Sequence, residues 1–255
     1  MQLTAPPHVL LRRPLARPIS ALETLLARSA APVIGVAGTS GKSTTVGLVA
    51  AMLRADGFQV KVGLADALAC ADQLTPADRV VVELMPSMVR GVPEGLAFLV
   101  LTGMAADELA PHQTMPEVVD GLRRAVAGTS EGVVVNADDA RALGLAMESP
   151  APVIRASLHD RTAEATMRDG EMVVFDPAFG IERRVCRLAG TPLARPPLTT
   201  DVLLAAAVAS QALGSIDAIR DAARAVTAPA DHGGVVSHRH RLTWISDAAA
   251  NRPGR

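Results

Sequence analysis

Aromatic residues are almost absent from this sequence: none of its 255 residues is Tyr, one is Trp and four are Phe. Hydrophobic residues nevertheless make up 49% of the chain, so a sizeable core must pack from aliphatic side chains. The lack of aromatics excludes single-stranded nucleic-acid binding by base stacking. The formal net charge is −1 and no run of like charges occurs, which excludes nucleic-acid binding through a basic face.

Cysteine and long apolar runs are also scarce. The two cysteines, Cys70 and Cys186, lie in no CxxC motif and no Cys/His cluster, which predicts neither a disulfide framework nor a structural zinc site. Prolines and arginines occupy the N-terminal region where a secretory signal needs an apolar run. No apolar run reaches the length of a membrane span. These absences predict a cytoplasmic protein.

Lysine is the scarcest of the charged residues. Basic residues total 25, but only Lys42 and Lys61 are lysines. One of these two lies in the segment VIGVAGTSGKSTT, which resembles a phosphate-binding loop. The segment departs from the general template G-x-x-x-x-G-K-[ST], because Val36 stands where that template has its first glycine.

Strand-type apolar runs alternate with helix-type segments through residues 31–158. This alternation predicts an α/β fold with a doubly wound, mostly parallel sheet. Beyond residue 160 we expect a smaller extension, formed by a hairpin over 170–188 and helices over 203–213 and 216–226. Ser20 is predicted to cap a short lead-in helix, because Glu23 follows it at the spacing of a capping box.

The loop after the first strand has the residues that phosphate binding needs. Gly38 and Gly41 allow backbone N–H groups to turn inward, and a helix predicted from about Ser43 adds its positive dipole end. Lys42 supplies a charge for the outer phosphates, and the Ser43 hydroxyl suits Mg²⁺. The alternative is a glycine-rich turn that only joins a strand to a helix.

A carboxylate on a neighbouring strand is the second candidate feature. Glu83 ends the apolar run VVVELM, so we expect it at the carboxyl edge of the sheet, where it can hold Mg²⁺ directly or through water. The alternative for Glu83 is a strand-end acid that points to solvent. Asp66 is a weaker rival that fits a plain loop residue.

The segment VAGTSGKSTT is similar to the ATP loop of the Mur ligase family. The shorter family pattern, G-T-x-G-K-[ST]-[ST], accounts for the missing glycine, and folylpolyglutamate synthases have a related loop. Further segments resemble the family in the same order: ELMPSM, LTGMAADELAPHQTM, VVVNADDA and HRHRLTWISDAAAN. The resemblance covers about residues 20–251 and is strongest to the members that add D-glutamate.

The resemblance implies an ATP-dependent, amide-forming ligase with the fold of the family's central domain. In the family, ATP phosphorylates a substrate carboxylate and an amine attacks the acyl phosphate. The resemblance also implies roles for single residues. Catalysis would be served by Lys42, Glu83 and Glu108, and Mg²⁺ by Ser43, Glu83 and His112. The adenine would lie near Asn136 and Asp139. The ATP phosphates would be bound by Gly38, Thr39, Ser40, Gly41, Lys42, Ser43 and Thr44.

The family pattern is broken at several positions. Glu108 replaces the histidine of an Asp-His pair, although a glutamate can also ligate Mg²⁺. His112 keeps the last position of this segment, where the alternative is an ordinary loop residue. Leu122 stands where the family has a carbamoylated lysine, and no lysine follows Lys61. We therefore do not expect a second metal site of the family's type.

The resemblance divides the chain into three predicted parts. These are an N-terminal remnant with the lead-in helix (1–30), an ATP-binding central domain (31–230) and a stub of a C-terminal domain (231–255). Three functions stay open at this point. The first is a divergent ligase that adds an amino acid such as D-glutamate to a UDP-muramoyl substrate. The second is a catalytically inactive ATP-binding relative that acts as a subunit or regulator, with a protein partner that supplies the missing domains. The third is another phosphate-loop enzyme, such as a small-molecule kinase.

Overall fold

A nine-stranded sheet in the order β2-β3-β1-β4-β5-β6-β7-β8-β9 forms the centre of the structure. The computed structural model describes residues 18–85, 88, 94–104, 114–212, 214–227, 236–237 and 242–243. Adjacent strands from β2 to β7 are parallel, whereas β8 and β9 continue the sheet antiparallel. The strands are β1 (Val33–Ala37), β2 (Val60–Val62), β3 (Arg79–Glu83), β4 (Leu96–Leu101), β5 (Thr129–Asn136), β6 (Val153–Ser157), β7 (Ala165–Arg168), β8 (Glu171–Asp176) and β9 (Ile181–Arg187).

Helices cover both faces of this sheet. They are α1 (Pro18–Arg28), α2 (Lys42–Ala55), α3 (Leu64–Ala69), α4 (Met115–Ala127), α5 (Ala140–Ala146), α6 (Leu198–Gln211) and α7 (Ile216–Ala225). Short 3-10 turns lie at Ala71–Gln73 and Pro192–Ala194. A separate small sheet contains β10 (Val226–Thr227), β11 (Val236–Ser237) and β12 (Leu242–Thr243).

Two aliphatic layers hold the helices to the sheet. On one face α2, α6 and α7 contribute side chains such as Met52, Leu204 and Ile219. On the other face α1, α3, α4 and α5 contribute side chains such as Leu25 and Leu122. Because β1 is covered on both faces, all five of its residues are buried. The predicted doubly wound, mostly parallel α/β sheet is therefore confirmed, and so is the hairpin extension.

Several predicted boundaries need correction. Helix α1 begins at Pro18, so Ser20 lies inside it and is not its N-cap; proline is favoured in the first turn because its missing N–H is unpaired there anyway. Helix α6 begins at Leu198 rather than near residue 203, because its first turn is polar and escapes an apolar pattern. Helix α3 and strand β7 were not predicted.

Among the described residues, no helix is long and apolar enough to cross a membrane. The domain boundary predicted near residue 230 lies between 227 and 236, outside the described residues. The division into three parts therefore stays a prediction.

Candidate nucleotide-binding site

The glycine-rich loop lies at the carboxyl edge of the sheet, between β1 and α2. Strand β1 is central, with β3 on one side and β4 on the other. The next two strands along the chain, β2 and β3, lie on one side of β1, and the later strands from β4 onward lie on its other side. Such a point of reversal is where open α/β sheets bind ligands, in the crevice outside the strand ends.

Both glycines of the loop have conformations and surroundings that exclude a side chain. Gly38 has φ 134° and Gly41 has φ 76°, values that residues with a Cβ rarely adopt. A Cβ built on Gly38 would overlap the Thr102 hydroxyl oxygen, and one built on Gly41 would overlap Asp201 Oδ1. The loop backbone thus lies directly against one oxygen from β4's end and one from α6.

Thr102 fixes the first half of the loop to the end of β4. Its side chain is buried, and its hydroxyl donates to the Ser40 carbonyl at 2.6 Å while also lying 3.2 Å from the Ala37 carbonyl. Its backbone N–H donates to Ala37 at 2.9 Å, and the Thr39 N–H donates to the Gly103 carbonyl at 3.0 Å. These hydrogen bonds fix the conformation of the loop relative to the end of β4.

The second half of the loop begins helix α2. Gly41 is the residue that precedes this helix, and no side chain caps it, so backbone N–H groups of the first turn are available to an anion. The half-buried Lys42 bends back so that Nζ donates to the Thr39 carbonyl at 2.9 Å. Its charge is therefore held at the mouth of the loop. The half-buried Thr44 lies in the same turn.

The structure brings together two of the three residues predicted to serve Mg²⁺, Ser43 and Glu83. Ser43 Oγ donates to Glu83 Oε2 at 2.7 Å, joining the first turn of α2 to the end of β3. Two oxygen ligands fit an octahedral Mg²⁺ that keeps several waters and is held mainly by phosphate oxygens. They do not fit a cage built by protein alone, and no group of three or more His, Cys, Asp or Glu residues gathers within the described part of the chain.

Asn136 and Asp139 lie at the ends of neighbouring elements and support the segment after β4. Asn136 Nδ2 donates to the Thr102 carbonyl at 3.1 Å. Asp139 accepts from the Met104 N–H at 2.6 Å and from two N–H groups of α5, which it caps. Both side chains therefore steady the segment on which the loop rests. Their predicted contact with adenine stays a prediction.

Of three other positions singled out in the sequence, the structure describes only one, Leu122. Glu108 and His112 fall within 105–113, outside the described residues. Leu122, which stands where the family has its modified lysine, is 1% exposed in the aliphatic layer under α4. A core position of this kind takes an apolar side chain without cost and does not present a metal ligand.

Asp201 is a residue of the site that the sequence analysis missed. It is the fourth residue of α6 and is 4% exposed, and its carboxyl group packs against Gly41 of the loop. The nearby Thr45 hydroxyl makes no hydrogen bond of standard geometry. The sequence feature that could have revealed it is a single aspartate immediately before the apolar run VLLAAAVA. A helix with such a run must be buried on every side.

Burial controls the ionisation of Asp201. Desolvation raises the pKa of this carboxyl group to about 7, and proximity to the Thr45 hydroxyl lowers it by a smaller amount. The N-terminal end of α6 also favours the charged form, but that effect is only about 0.3–1 kcal/mol. A rise from 3.8 to about 7 corresponds to about 4 kcal/mol at 1.36 kcal/mol per pKa unit, so burial dominates.

The fold and the site together define a phosphate-loop α/β domain. The glycine turn follows a buried parallel strand at the point of chain reversal, and Lys42 and Ser43 open the next helix. Backbone N–H groups, an ammonium group and a hydroxyl–carboxylate pair converge at one edge of the sheet. This set of groups is suited to nucleotide phosphates.

Comparison with curated proteins identifies the family. The chain is 32% identical over 225 residues to UDP-N-acetylmuramoylalanine--D-glutamate ligase of Mycolicibacterium vanbaalenii, covering 86% of this chain and 45% of that protein. The protein of the same name from Mycobacterium tuberculosis is 32% identical over 226 residues, with 86% and 44% covered. No protein-family model matches the sequence. The chain belongs to the Mur ligase family and spans about half the length of these relatives.

Solved structures support the same fold. A UDP-N-acetylmuramoyl-L-alanyl-D-glutamate--2,6-diaminopimelate ligase superposes with a TM-score of 0.63 at 18% identity, over 82% of this chain and 49% of that one. The MurF ligase of Thermotoga maritima in complex with ADP gives a TM-score of 0.56 at 15% identity, over 84% and 52%. At these identities the likeness concerns the fold alone.

The packing of Gly41 on Asp201 leads to a stability prediction. Gly41→Ala combines a positive φ with a steric overlap, whereas Gly57→Ala is a matched control with φ 93° and no atom within 4 Å of the new methyl group. We expect Gly57→Ala to lose about 1–2 kcal/mol from the strained backbone and Gly41→Ala to lose clearly more. Urea denaturation measures both, and equal losses would contradict the close contact.

The raised pKa of Asp201 leads to a pH prediction. The native state retains this proton up to a higher pH than the unfolded chain, so its contribution to stability is lost as pH rises from about 4 to about 7. Asp201→Asn has no such loss. We expect the unfolding free energy of the variant, relative to that of wild type, to increase by up to about 4 kcal/mol as pH rises across this range. A difference that does not change with pH in denaturation curves would contradict a buried, neutral Asp201.

Proposed function

We propose that this chain binds ATP in the loop between β1 and α2 and belongs to a Mur-type amide ligase. The substrates we propose are an amino acid such as D-glutamate and a UDP-muramoyl acceptor, in line with the names of the related proteins. The proposal extends to this chain an activity that those names assign to proteins about twice its length.

The Ser43–Glu83 hydrogen bond is the observation that carries the proposal. It joins two oxygen ligands at 2.7 Å, at the edge of the sheet where Lys42 also lies. In the proposed complex the loop N–H groups and Lys42 hold the phosphates, and Ser43 and Glu83 hold Mg²⁺ directly or through water. When bound, Mg²⁺ would offset the charge that develops as the terminal phosphoryl group is transferred.

The proposed role of these residues is alignment and charge neutralisation. ATP would phosphorylate the acceptor's carboxylate, and the amine of the incoming amino acid would then displace the phosphate. The chain's own groups would keep the phosphates in line with that carboxylate and reduce the repulsion between the two anions. Thr102 and Asp139 contribute indirectly, because they hold the segment on which the loop rests.

A second candidate is ATP binding without turnover. It is favoured by Leu122, which fills the core where the family has its modified lysine, and by the lack of any lysine after Lys61. Such a protein would use the same loop and would serve as a subunit or regulator. The two candidates differ in whether bound ATP is consumed.

Nucleotide binding is tested by substituting each of the two lysines in turn. Lys42→Ala removes one charge-assisted contact of about 1.5–3 kcal/mol, so we expect ATP affinity in the presence of Mg²⁺ to fall about tenfold to a hundredfold. Lys61→Ala is the control, since Lys61 is exposed on β2. Calorimetric titration measures both. Equal affinities for the two variants, or no binding by wild type, would contradict the proposed site.

Turnover separates the two candidates. The protein is incubated with ATP, Mg²⁺, D-glutamate and UDP-MurNAc-L-alanine, and phosphate release is followed. Release that requires both organic substrates and is lost in Glu83→Gln supports the ligase. ATP binding without release, in folded protein, supports the inactive relative.

A further inference from the structure

The carboxyl group of Asp201 packs against Gly41 of the loop that is proposed to hold phosphates. Asp201 Oδ1 lies too close to the position of a Gly41 Cβ for a methyl group to fit, and Cγ lies 3.1 Å from that position. The side chain is 4% exposed. A buried carboxyl group is therefore in direct contact with the backbone of the loop.

No ion pair among the described residues compensates a negative charge on Asp201. Its pKa responds to burial and to the Thr45 hydroxyl, and no charged neighbour contributes. Lys42, the charged residue of α2 nearest to the loop, is instead bonded to the Thr39 carbonyl. The other charged side chains on elements packed against α6 are Arg54 of α2, Glu131 of β5, Arg155 of β6, Arg168 of β7, Glu171 and Asp176 of β8, Arg195 beside the second 3-10 turn, and Asp217, Arg220, Asp221 and Arg224 of α7.

Bound nucleotide would bring several negative charges to the same loop. Repulsion between like charges is strong where water is excluded, because the local dielectric is low. A neutral carboxyl group avoids this repulsion and leaves the packing against Gly41 unchanged. We propose that Asp201 takes up a proton from solvent when nucleotide binds, so that this residue couples the affinity for ATP or ADP to pH. The inference rests on the proposed function of the loop as a phosphate site.

The first test compares wild type with Asp201→Asn, which keeps the shape of the side chain and cannot become anionic. Affinity for ADP is measured by calorimetry at pH 6 and pH 8 with saturating Mg²⁺. If binding requires the protonated form and the free group has a pKa of about 7, wild type loses about tenfold more affinity over this interval than the variant. The variant corrects for titration of the nucleotide itself.

A second measurement uses the wild-type protein alone and does not depend on the folding of a variant. Titration at pH 7.5 in HEPES and in Tris, whose ionisation enthalpies differ, gives the number of protons taken up. We expect about 0.8 proton per nucleotide, the fraction of Asp201 that is ionised at that pH. Thr45→Val removes the hydroxyl that lowers this pKa, so the pH at which affinity declines should move upward.

The outcomes separate this inference from the proposed function. Nucleotide binding with parallel pH profiles in wild type and Asp201→Asn, and without proton uptake, overturns the inference and leaves the phosphate site intact. No binding at either pH overturns the phosphate site and the inference with it. A steeper wild-type profile with net proton uptake supports both.

Discussion

The backbone of the loop between β1 and α2 lies directly on two side-chain oxygens, and most of the site depends on this close packing. Thr102 meets Gly38 and Asp201 meets Gly41, so neither glycine can carry a Cβ. Glycine also permits the positive φ angles found at both positions. With its outer side fixed in this way, the loop can direct N–H groups inward without a side-chain cap on α2. The phosphate site is thus shaped by its supports as much as by its own residues.

These supports connect the loop to distant parts of the chain. Thr102 follows β4 and is itself held through Asn136, at the end of β5. Asp201 comes from α6, whose apolar run packs on α2 and the sheet. Ser43 and Glu83 join the helix after the loop to β3. The loop is therefore in direct contact with the first turn of α6 and with the end of β4.

The sequence predicted those parts of the site that are encoded locally or by the edge of a parallel sheet. Gly41-Lys42-Ser43 identified the loop, and Glu83 was expected at the carboxyl edge of the sheet because it ends a buried strand. Asp201 was missed, since it lies 160 residues after Gly41 in a helix whose polar first turn does not follow the apolar pattern. Asn136 and Asp139 were predicted only to lie near the adenine, which stays a prediction; their hydrogen bonds to Thr102 and Met104 follow only from the packed structure.

A crystal structure with Mg²⁺ and ADP would show directly whether the loop between β1 and α2 holds nucleotide phosphates. We expect the terminal phosphate of ADP on the N–H groups of Gly41, Lys42 and Ser43. We also expect Lys42 Nζ to leave the Thr39 carbonyl and contact phosphate, and Mg²⁺ to lie between the nucleotide and the Ser43–Glu83 pair. Nucleotide bound elsewhere, or Lys42 still bonded to Thr39 beside an empty loop at saturating ADP, would contradict the proposed site.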